Sequence, residues 1–138
     1  MQKYIYSILV LCLLFACKQK NKDKPVAVYQ RVELKLDTLN VIKLTDTMVI
    51  YSSVCRGCAY EQTAGFGLED SLQVVELYNI ETADNNPPDM DGGSLQKSIL
   101  LVPRKTGTTR IKLFSFLEQP PTAADSARFT EYSIQVQN

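Results

Sequence analysis

The feature of this sequence that most constrains its fold is the alternation of apolar and polar residues over short stretches. Near the carboxyl end, Tyr132, Ile134 and Val136 alternate with polar residues, and Ile111 and Leu113 alternate with two basic ones. Because side chains along a β-strand point to opposite faces in turn, a period of two predicts strands with one buried face and one exposed face. We therefore expect a chain built mainly from short β-strands.

The strand candidates follow one another at intervals of about ten residues, with turn-forming residues between them. They cover residues 32–36, 41–44, 48–52, 59–62, 72–78, 98–102, 109–116 and 132–136. No stretch after residue 25 has the apolar spacing of a long amphipathic helix. About seven short strands at this spacing predict an all-β protein, an immunoglobulin-like antiparallel β-sandwich. The chain has no tryptophan and no widely spaced cysteine pair, so an antibody-type domain with an inter-sheet disulfide is excluded.

The chain contains no histidine, and this absence excludes several kinds of chemistry. Ser-His-Asp and Cys-His catalysis cannot occur, and the commonest zinc ligand is missing. Basic and acidic residues number 15 each, so the chain lacks the positive charge that nucleic-acid binding requires. We expect a protein that is not an enzyme, with no metal, no cofactor and no nucleic-acid partner.

The amino-terminal segment has the pattern of an export signal. Residues 5–15 form an apolar run that is shorter than the roughly 20 residues needed to span a bilayer, and Lys3 precedes it. The run ends in Leu14-Phe15-Ala16-Cys17, which resembles the bacterial lipobox, in which the cysteine becomes the new amino terminus and carries acyl chains. The resemblance implies that residues 1–16 are a cleaved signal peptide and that Cys17 is lipidated. An ordinary secretory peptide, or a short buried helix containing Cys17, is the alternative.

The domain organisation follows from this assignment. Residues 17–25 would comprise the lipidated cysteine and a lysine-rich polar tether that ends at Pro25, and residues 26–138 would form the sandwich. The expected location is the bacterial cell envelope, where the lipid holds the domain at a membrane. The domain would face either the periplasm or the cell exterior.

Cys55-Arg56-Gly57-Cys58 is the most reactive-looking motif in the chain. Outside the cytoplasm two cysteines this close are expected to form a disulfide, which would close a short loop between two strands. A thiol-redox role is an alternative, since a C-x-x-C motif can hold a thiolate of low pKa and Arg56 would stabilise it. A third possibility is that the closed loop contacts a partner.

Two further groups of residues have a functional and a structural interpretation. One loop contains several possible oxygen ligands for a calcium ion, namely Asp84, Asn85, Asp89 and Asp91. Their spacing does not match the twelve-residue calcium loop, so we favour an exposed turn. The aromatic residues of the 109–116 strand could lie on the face opposite Ile111 and form a contact surface. Packing of one or both in the sandwich core is favoured.

The second half of the chain resembles the chagasin-type inhibitors of papain-like cysteine peptidases. The resemblance rests on the Gly92-Gly93 loop before a strand, on residues 105–113 as a glycine turn leading into an isoleucine-bearing strand, and on a proline-containing loop before the final strand. It implies a small immunoglobulin-like sandwich in which three loops at one end insert into the peptidase cleft. In this chain those loops correspond to residues around 55–59, 84–94 and 117–124.

Two of these loops depart from the chagasin pattern. The first family loop carries an Asn-Pro-Thr-Thr-Gly type motif, whereas this chain has Cys55-Arg56-Gly57-Cys58 there. The third family loop carries Arg-Pro followed by an aromatic residue, whereas this chain has Gln119-Pro120-Pro121. The residues predicted to contact a partner are Arg56, Gly57, Ala59, Asp91, Gly92, Gly93, Gln119, Pro120 and Pro121.

Three functions are compatible with the sequence. The leading hypothesis is a membrane-anchored lipoprotein that acts as a non-catalytic binding module for an unidentified partner. The alternative is a chagasin-like inhibitor whose partner is a papain-type cysteine peptidase. A thiol-redox lipoprotein that uses Cys55 and Cys58 is the third.

Overall fold

The structure is a computed structural model that describes residues 30–138, so the predicted signal peptide, Cys17 and the whole tether lie outside the described residues. Eight strands and one short helix make up this part of the chain. In chain order they are β1 (Arg31–Glu33), β2 (Leu39–Lys43), β3 (Thr47–Cys55), β4 (Gly65–Glu69), β5 (Val75–Ala83), β6 (Ser94–Pro103), β7 (Gly107–Phe116), α1 (Ala123–Ser126) and β8 (Phe129–Gln137).

The strands form two four-stranded sheets that pack face to face. The first sheet has the order β1-β3-β6-β5 and the second the order β2-β8-β7-β4. The predicted immunoglobulin-like sandwich is confirmed, with eight strands instead of about seven. Two pairs, β1 with β3 and β2 with β8, are parallel, so the sandwich is not wholly antiparallel as predicted.

The core lies between the sheets and is built from the alternation seen in the sequence. Five of its side chains are completely buried, and these are Met48, Ile99, Leu101, Ile111 and Ile134. The register of β3 and β6 places Met48 opposite Leu101, so their side chains enter the core together. Burial of each such side chain stabilises the fold by about 1.5–3 kcal/mol.

The strand pairing gives the sandwich two distinct ends. At the end that we call the tip, β3, β5 and β7 finish and β4, β6 and β8 begin, as the pairs Cys55 with Ser94 and Gly65 with Phe116 show. At the opposite end, the base, the described chain enters through Arg31, which pairs with Thr47. The nine residues of β3 run from base to tip over roughly 30 Å, at about 3.3 Å per residue.

Strand β4 is the element that the sequence did not predict, because two of its five residues are glycines. The rings of Phe116 and Phe114 lie over Gly65 and Gly67 and fill the space that side chains would occupy. Both phenylalanines are buried, but on the face opposite Ile111 and outside the core cluster, so their favoured placement in the sandwich core is wrong. Residues 59–62, predicted as a strand, form turns.

A carboxylate at the base organises the turn between β4 and β5. Asp70 accepts hydrogen bonds from the backbone N–H groups of Leu72, Val74 and Val75 at 3.0, 2.7 and 2.8 Å, and from the buried Thr109 hydroxyl at 2.6 Å. Desolvation acts to raise the pKa of this carboxyl, but the four hydrogen bonds outweigh it and hold the pKa below its ordinary value. The ionised carboxylate therefore stabilises the folded state.

The Asp70 hydrogen bonds predict a pH dependence of stability. Because the pKa is lower in the folded protein than in the unfolded chain, where it is about 3.9, the stabilisation is present above pH 4 to 5 and is lost as the pH falls through the folded-state pKa. Asp70→Asn should lower the free energy of unfolding by about 1–3 kcal/mol at pH 7 and flatten its dependence on pH between 5 and 3. Urea unfolding at several pH values measures both effects.

The matched control is Asp46→Asn in the turn between β2 and β3, where the carboxylate accepts one backbone hydrogen bond, from Lys43. This variant should lower the free energy of unfolding at pH 7 by less than Asp70→Asn does, because it loses one hydrogen bond instead of four. If the free energy of unfolding depends on pH equally steeply in Asp70→Asn and in the parent protein, the stabilising role assigned to the Asp70 carboxylate is contradicted.

Candidate partner-binding site

Three loops project from the tip of the sandwich. We call residues 56–64, between β3 and β4, the first loop, residues 84–93, between β5 and β6, the second loop, and residues 117–128, between β7 and β8, the third loop. They contain every residue that the sequence placed in a partner-binding site. The geometry of each loop is set by a few polar contacts.

Arg56 joins the first loop to the second. Its Nε lies 2.9 Å from Asp84 Oδ2, its Nη1 donates to the Met90 carbonyl at 2.5 Å, and its backbone N–H donates to the Gly93 carbonyl at 3.0 Å. The side chain is 22% exposed, so most of it is enclosed by the loops that it joins. Arg56 therefore positions the loops and offers little free surface to a partner.

The second loop is also held from within. The Asn86 side-chain amide donates to Asp84 Oδ1 and to the Ser94 carbonyl, each at 2.8 Å. Hydrogen bonds from Asn86 are the main cause of the lowered pKa of the Asp84 carboxyl, and Arg56 adds to them. Gly93 has a φ of +101°, and a Cβ there would lie 2.5 Å from the Asn86 amide oxygen, so the position requires glycine.

The predicted disulfide connects the last residue of β3 to the first loop. Cys55 and Cys58 are bonded, with their Cα atoms 5.7 Å apart. Gly57, at a φ of +76°, donates its backbone N–H to Glu61 Oε2 at 2.5 Å. The exposed residue Ala59 follows in a series of turns. The loop is therefore compact, and its backbone path is fixed.

The third loop is tied to the first, and it contains the short helix. Thr63 Oγ1 donates to the Leu117 carbonyl at 2.6 Å. At the start of α1, Thr122 and Asp125 form a reciprocal capping box. Gln119, Pro120 and Pro121 lie between these two contacts and are exposed, with a cis peptide bond between the first two.

Each of the three loops exposes one large apolar side chain. Tyr60 in the first loop is 45% exposed, Met90 in the second is 48% exposed, and Leu117 in the third is 53% exposed. Tyr60 and Leu117 also line a cavity of about 260 Å³ beneath the first loop. Exposed apolar groups form a protein contact surface when they lie together at one end of a molecule.

None of these three residues was among the predicted site residues. Met90 stands between two aspartates, and such an isolated apolar residue in a loop is a signal that could have identified it. Tyr60 and Leu117 carry no such signal, because each directly follows an apolar residue. Of the predicted residues, Asp91, Gly92 and Gly93 lie in the second loop beside Met90, where Gly92 has a φ of +79°.

Two other chemical interpretations find no support in the described residues. Within residues 30–138 no group of three acidic or cysteine residues is arranged to hold a metal ion, and Asp84 is paired with Arg56 instead. The segment after Cys58 forms turns, whereas a thioredoxin-type motif needs a helix at that place.

No helix in this part of the chain has the length and apolar character needed to cross a membrane.

Comparison with known proteins identifies the fold. No protein-family model matches the chain, and no curated protein matches it either. Several solved chains do match, and two of them are described here. The cysteine protease inhibitor EhICP2 from Entamoeba histolytica aligns at 19% identity and a TM-score of 0.55, over 79% of this chain and 96% of that one. Amebosin, known from a solution structure, aligns at 17% identity and a TM-score of 0.54, over 79% of this chain and 98% of that one. The sandwich fold implied by the resemblance to chagasin-type inhibitors is confirmed.

The role of Arg56 as a link between loops can be tested without knowledge of the partner. Arg56→Ala removes the ion pair with Asp84 and the bond to the Met90 carbonyl, so the second loop should open more often. We expect the amides of residues 84–93 to exchange with solvent about tenfold faster, which corresponds to about 1.4 kcal/mol. Hydrogen exchange followed by mass spectrometry measures this rate.

Arg104→Ala is the matched control, since it removes the same charge and breaks the ion pair of Arg104 with Glu76 at the base. This variant should leave exchange in the second loop unchanged. If both variants, or neither, accelerate exchange there, Arg56 does not hold the loop.

Proposed function

We propose that this protein inhibits papain-type cysteine peptidases by inserting the tip of the sandwich into their substrate cleft. The observation that carries the proposal is the presence of one exposed apolar side chain on each of three loops that meet at one end. The fold shared with an inhibitor of cysteine proteases supports the choice of partner. The proposal takes up the alternative hypothesis of the sequence analysis in place of the leading one, a binding module for an unidentified partner.

The three loops suit a surface that must bind without rearranging. Ordering a loop or a long side chain on association costs about 0.5–1.5 kcal/mol per immobilised group. Here the Cys55–Cys58 disulfide, Arg56 and the Thr63 hydroxyl already fix the loops in the free protein. Most of the favourable energy of burying Tyr60, Met90 and Leu117 would then remain as affinity.

The disulfide offers an explanation for the missing Asn-Pro-Thr-Thr-Gly type motif. In place of that motif the first loop has a covalent closure between Cys55 and Cys58, and a glycine, Gly57, in a left-handed conformation. A disulfide reduces the number of conformations open to the segment that it closes. The first loop can therefore act as a rigid part of the wedge with a different sequence.

The positions of the base and the tip at opposite ends of the sandwich are compatible with the lipid anchor that we propose at Cys17. The described chain enters the sandwich at the base through Arg31, and the three loops lie at the opposite end. A lipid on Cys17 and a tether over residues 18–25 would hold the base toward the membrane of a bacterial cell envelope. The tip would then face away from the membrane, toward a soluble peptidase.

Titration of papain tests the proposed activity. Papain is activated with a thiol that is removed before mixing, so that the Cys55–Cys58 disulfide stays oxidised. Activity should then fall linearly to zero at one molecule of this protein per active site. Papain whose cleft is already blocked by a small covalent epoxide should form no complex. Full papain activity at micromolar inhibitor, or binding to blocked papain, would contradict the proposal.

A substitution at the tip tests which surface binds. Leu117→Ala should raise the inhibition constant 10- to 30-fold, which corresponds to about 1.4–2 kcal/mol, because it removes an apolar contact at the centre of the interface. Leu72→Ala is the matched control, since Leu72 lies in the base turn and is 54% exposed against 53% for Leu117. Equal effects of the two substitutions would place the interface elsewhere.

A further inference from the structure

The edge of the first sheet is only partly covered. Strand β1 pairs with residues 47–49 of β3, and the last contact on that side is the hydrogen bond from the Leu34 N–H to the Val49 carbonyl. Within residues 30–138, no strand pairs with this side of β3 from Ile50 to Cys55, although the same residues pair with β6 on the other side. The upper half of β3 is therefore an open edge that leads to the tip.

The backbone groups on this edge can be assigned from the covered part. Thr47 donates its N–H to Gln30 and Val49 accepts from Leu34, so the odd-numbered residues of β3 direct their N–H and C=O groups outward. The next odd-numbered residues form an outward row of such groups along the open edge, and they are Tyr51, Ser53 and Cys55. They present three N–H groups and three carbonyls in the spacing that an added strand requires.

The open edge lacks the features that usually prevent strand addition. Such edges are normally blocked by proline, lysine, inward-pointing charges or bulges. Residues 50–55, Ile-Tyr-Ser-Ser-Val-Cys, include no proline and no charged side chain, and their pairing with β6 is regular. This stretch can therefore accept an extended segment without rearrangement.

The cavity beneath the first loop lies beside this edge. Its walls include Ser52 and Val54 of β3, Phe66, and the tip residues Tyr60 and Leu117. Val54 packs against the core, so its side of β3 is the inner side. Side chains of an added strand alternate between the two faces, and those on the inner side would enter this cavity of about 260 Å³.

We propose that the peptidase bound at the tip adds an extended segment to the β3 edge along residues 51–55 and places one apolar side chain in the cavity. This inference rests on the proposed function. Its basis is continuity, since Tyr60 and Leu117 belong both to the tip surface and to the cavity wall, and one partner that covers the tip reaches the edge. Backbone hydrogen bonds would add affinity, and the cavity would select for an apolar side chain.

Ser53→Pro tests the added strand directly. The Ser53 N–H points outward and takes no part in the pairing with β6, and proline is tolerated at such edge positions, so the sandwich should be retained. Without this N–H, and with a proline ring in the way, the inhibition constant for papain should rise about tenfold. Ser53→Ala keeps the N–H and should change the constant by less than twofold.

A second measurement does not depend on the proline variant folding. In the complex with papain, the amides of Tyr51, Ser53 and Cys55 should exchange with solvent at least tenfold more slowly than in the free protein. The amides of the outward row are the informative ones, because those that pair with β6 are protected in both states. NMR-detected hydrogen exchange resolves the individual residues.

The outcomes separate this inference from the proposed function. If papain is inhibited but the Ser53→Pro and Ser53→Ala variants inhibit equally and the three amides stay unprotected, the added strand is disproved and the inhibition stands. If papain is not inhibited, the proposed function fails, and this inference fails with it. If the amides become protected without papain as a dimer forms, the occupant is a second copy of this chain, and the inference is overturned.

Discussion

Close packing of aliphatic side chains between the two sheets is the interaction on which the rest of this structure depends. Met48 and Ile99 from one sheet, and Ile111 and Ile134 from the other, are completely buried. A shift of one residue in any of these strands would turn its apolar side chains to solvent, so the core fixes the register of β3, β6, β7 and β8. The first and third loops, which follow β3 and β7, and the second loop, which precedes β6, are thereby brought to one end of the molecule.

The tip combines this scaffold with a small number of polar links. A loop left to itself would sample many conformations and would lose affinity when a partner ordered it. Arg56 connects the first and second loops, and Thr63 connects the first and third. These links, together with the disulfide, turn three separate connections into one surface that presents Tyr60, Met90 and Leu117. The base carries a comparable polar centre at Asp70, which holds a turn away from the proposed interface.

The sequence predicted those parts of the fold that depend on local pattern. Alternation around Ile111 and from Tyr132 to Val136 identified β7 and β8, and the spacing of two cysteines identified the disulfide. Strand β4 was missed because two of its five residues are glycines, which have no side chain to show the alternation. The rings that cover these glycines belong to Phe114 and Phe116, some 50 residues away in the chain. The parallel pairs, β1 with β3 and β2 with β8, join segments far apart in the chain, so no local sequence pattern reveals them.

The site could be predicted only in outline, for the same reason. The three loops were located by turn residues and by the chagasin resemblance, but Arg56 was placed among partner contacts because its ion pair with Asp84 joins residues far apart in sequence. The exposure of Met90 and Leu117 depends on how the loops pack. Determination of the structure of this protein bound to papain would test the central claim most directly. Our account predicts that Tyr60, Met90 and Leu117 are all buried in the substrate cleft while the base remains in solvent; a complex in which the peptidase contacts the base or an outer sheet face would contradict it.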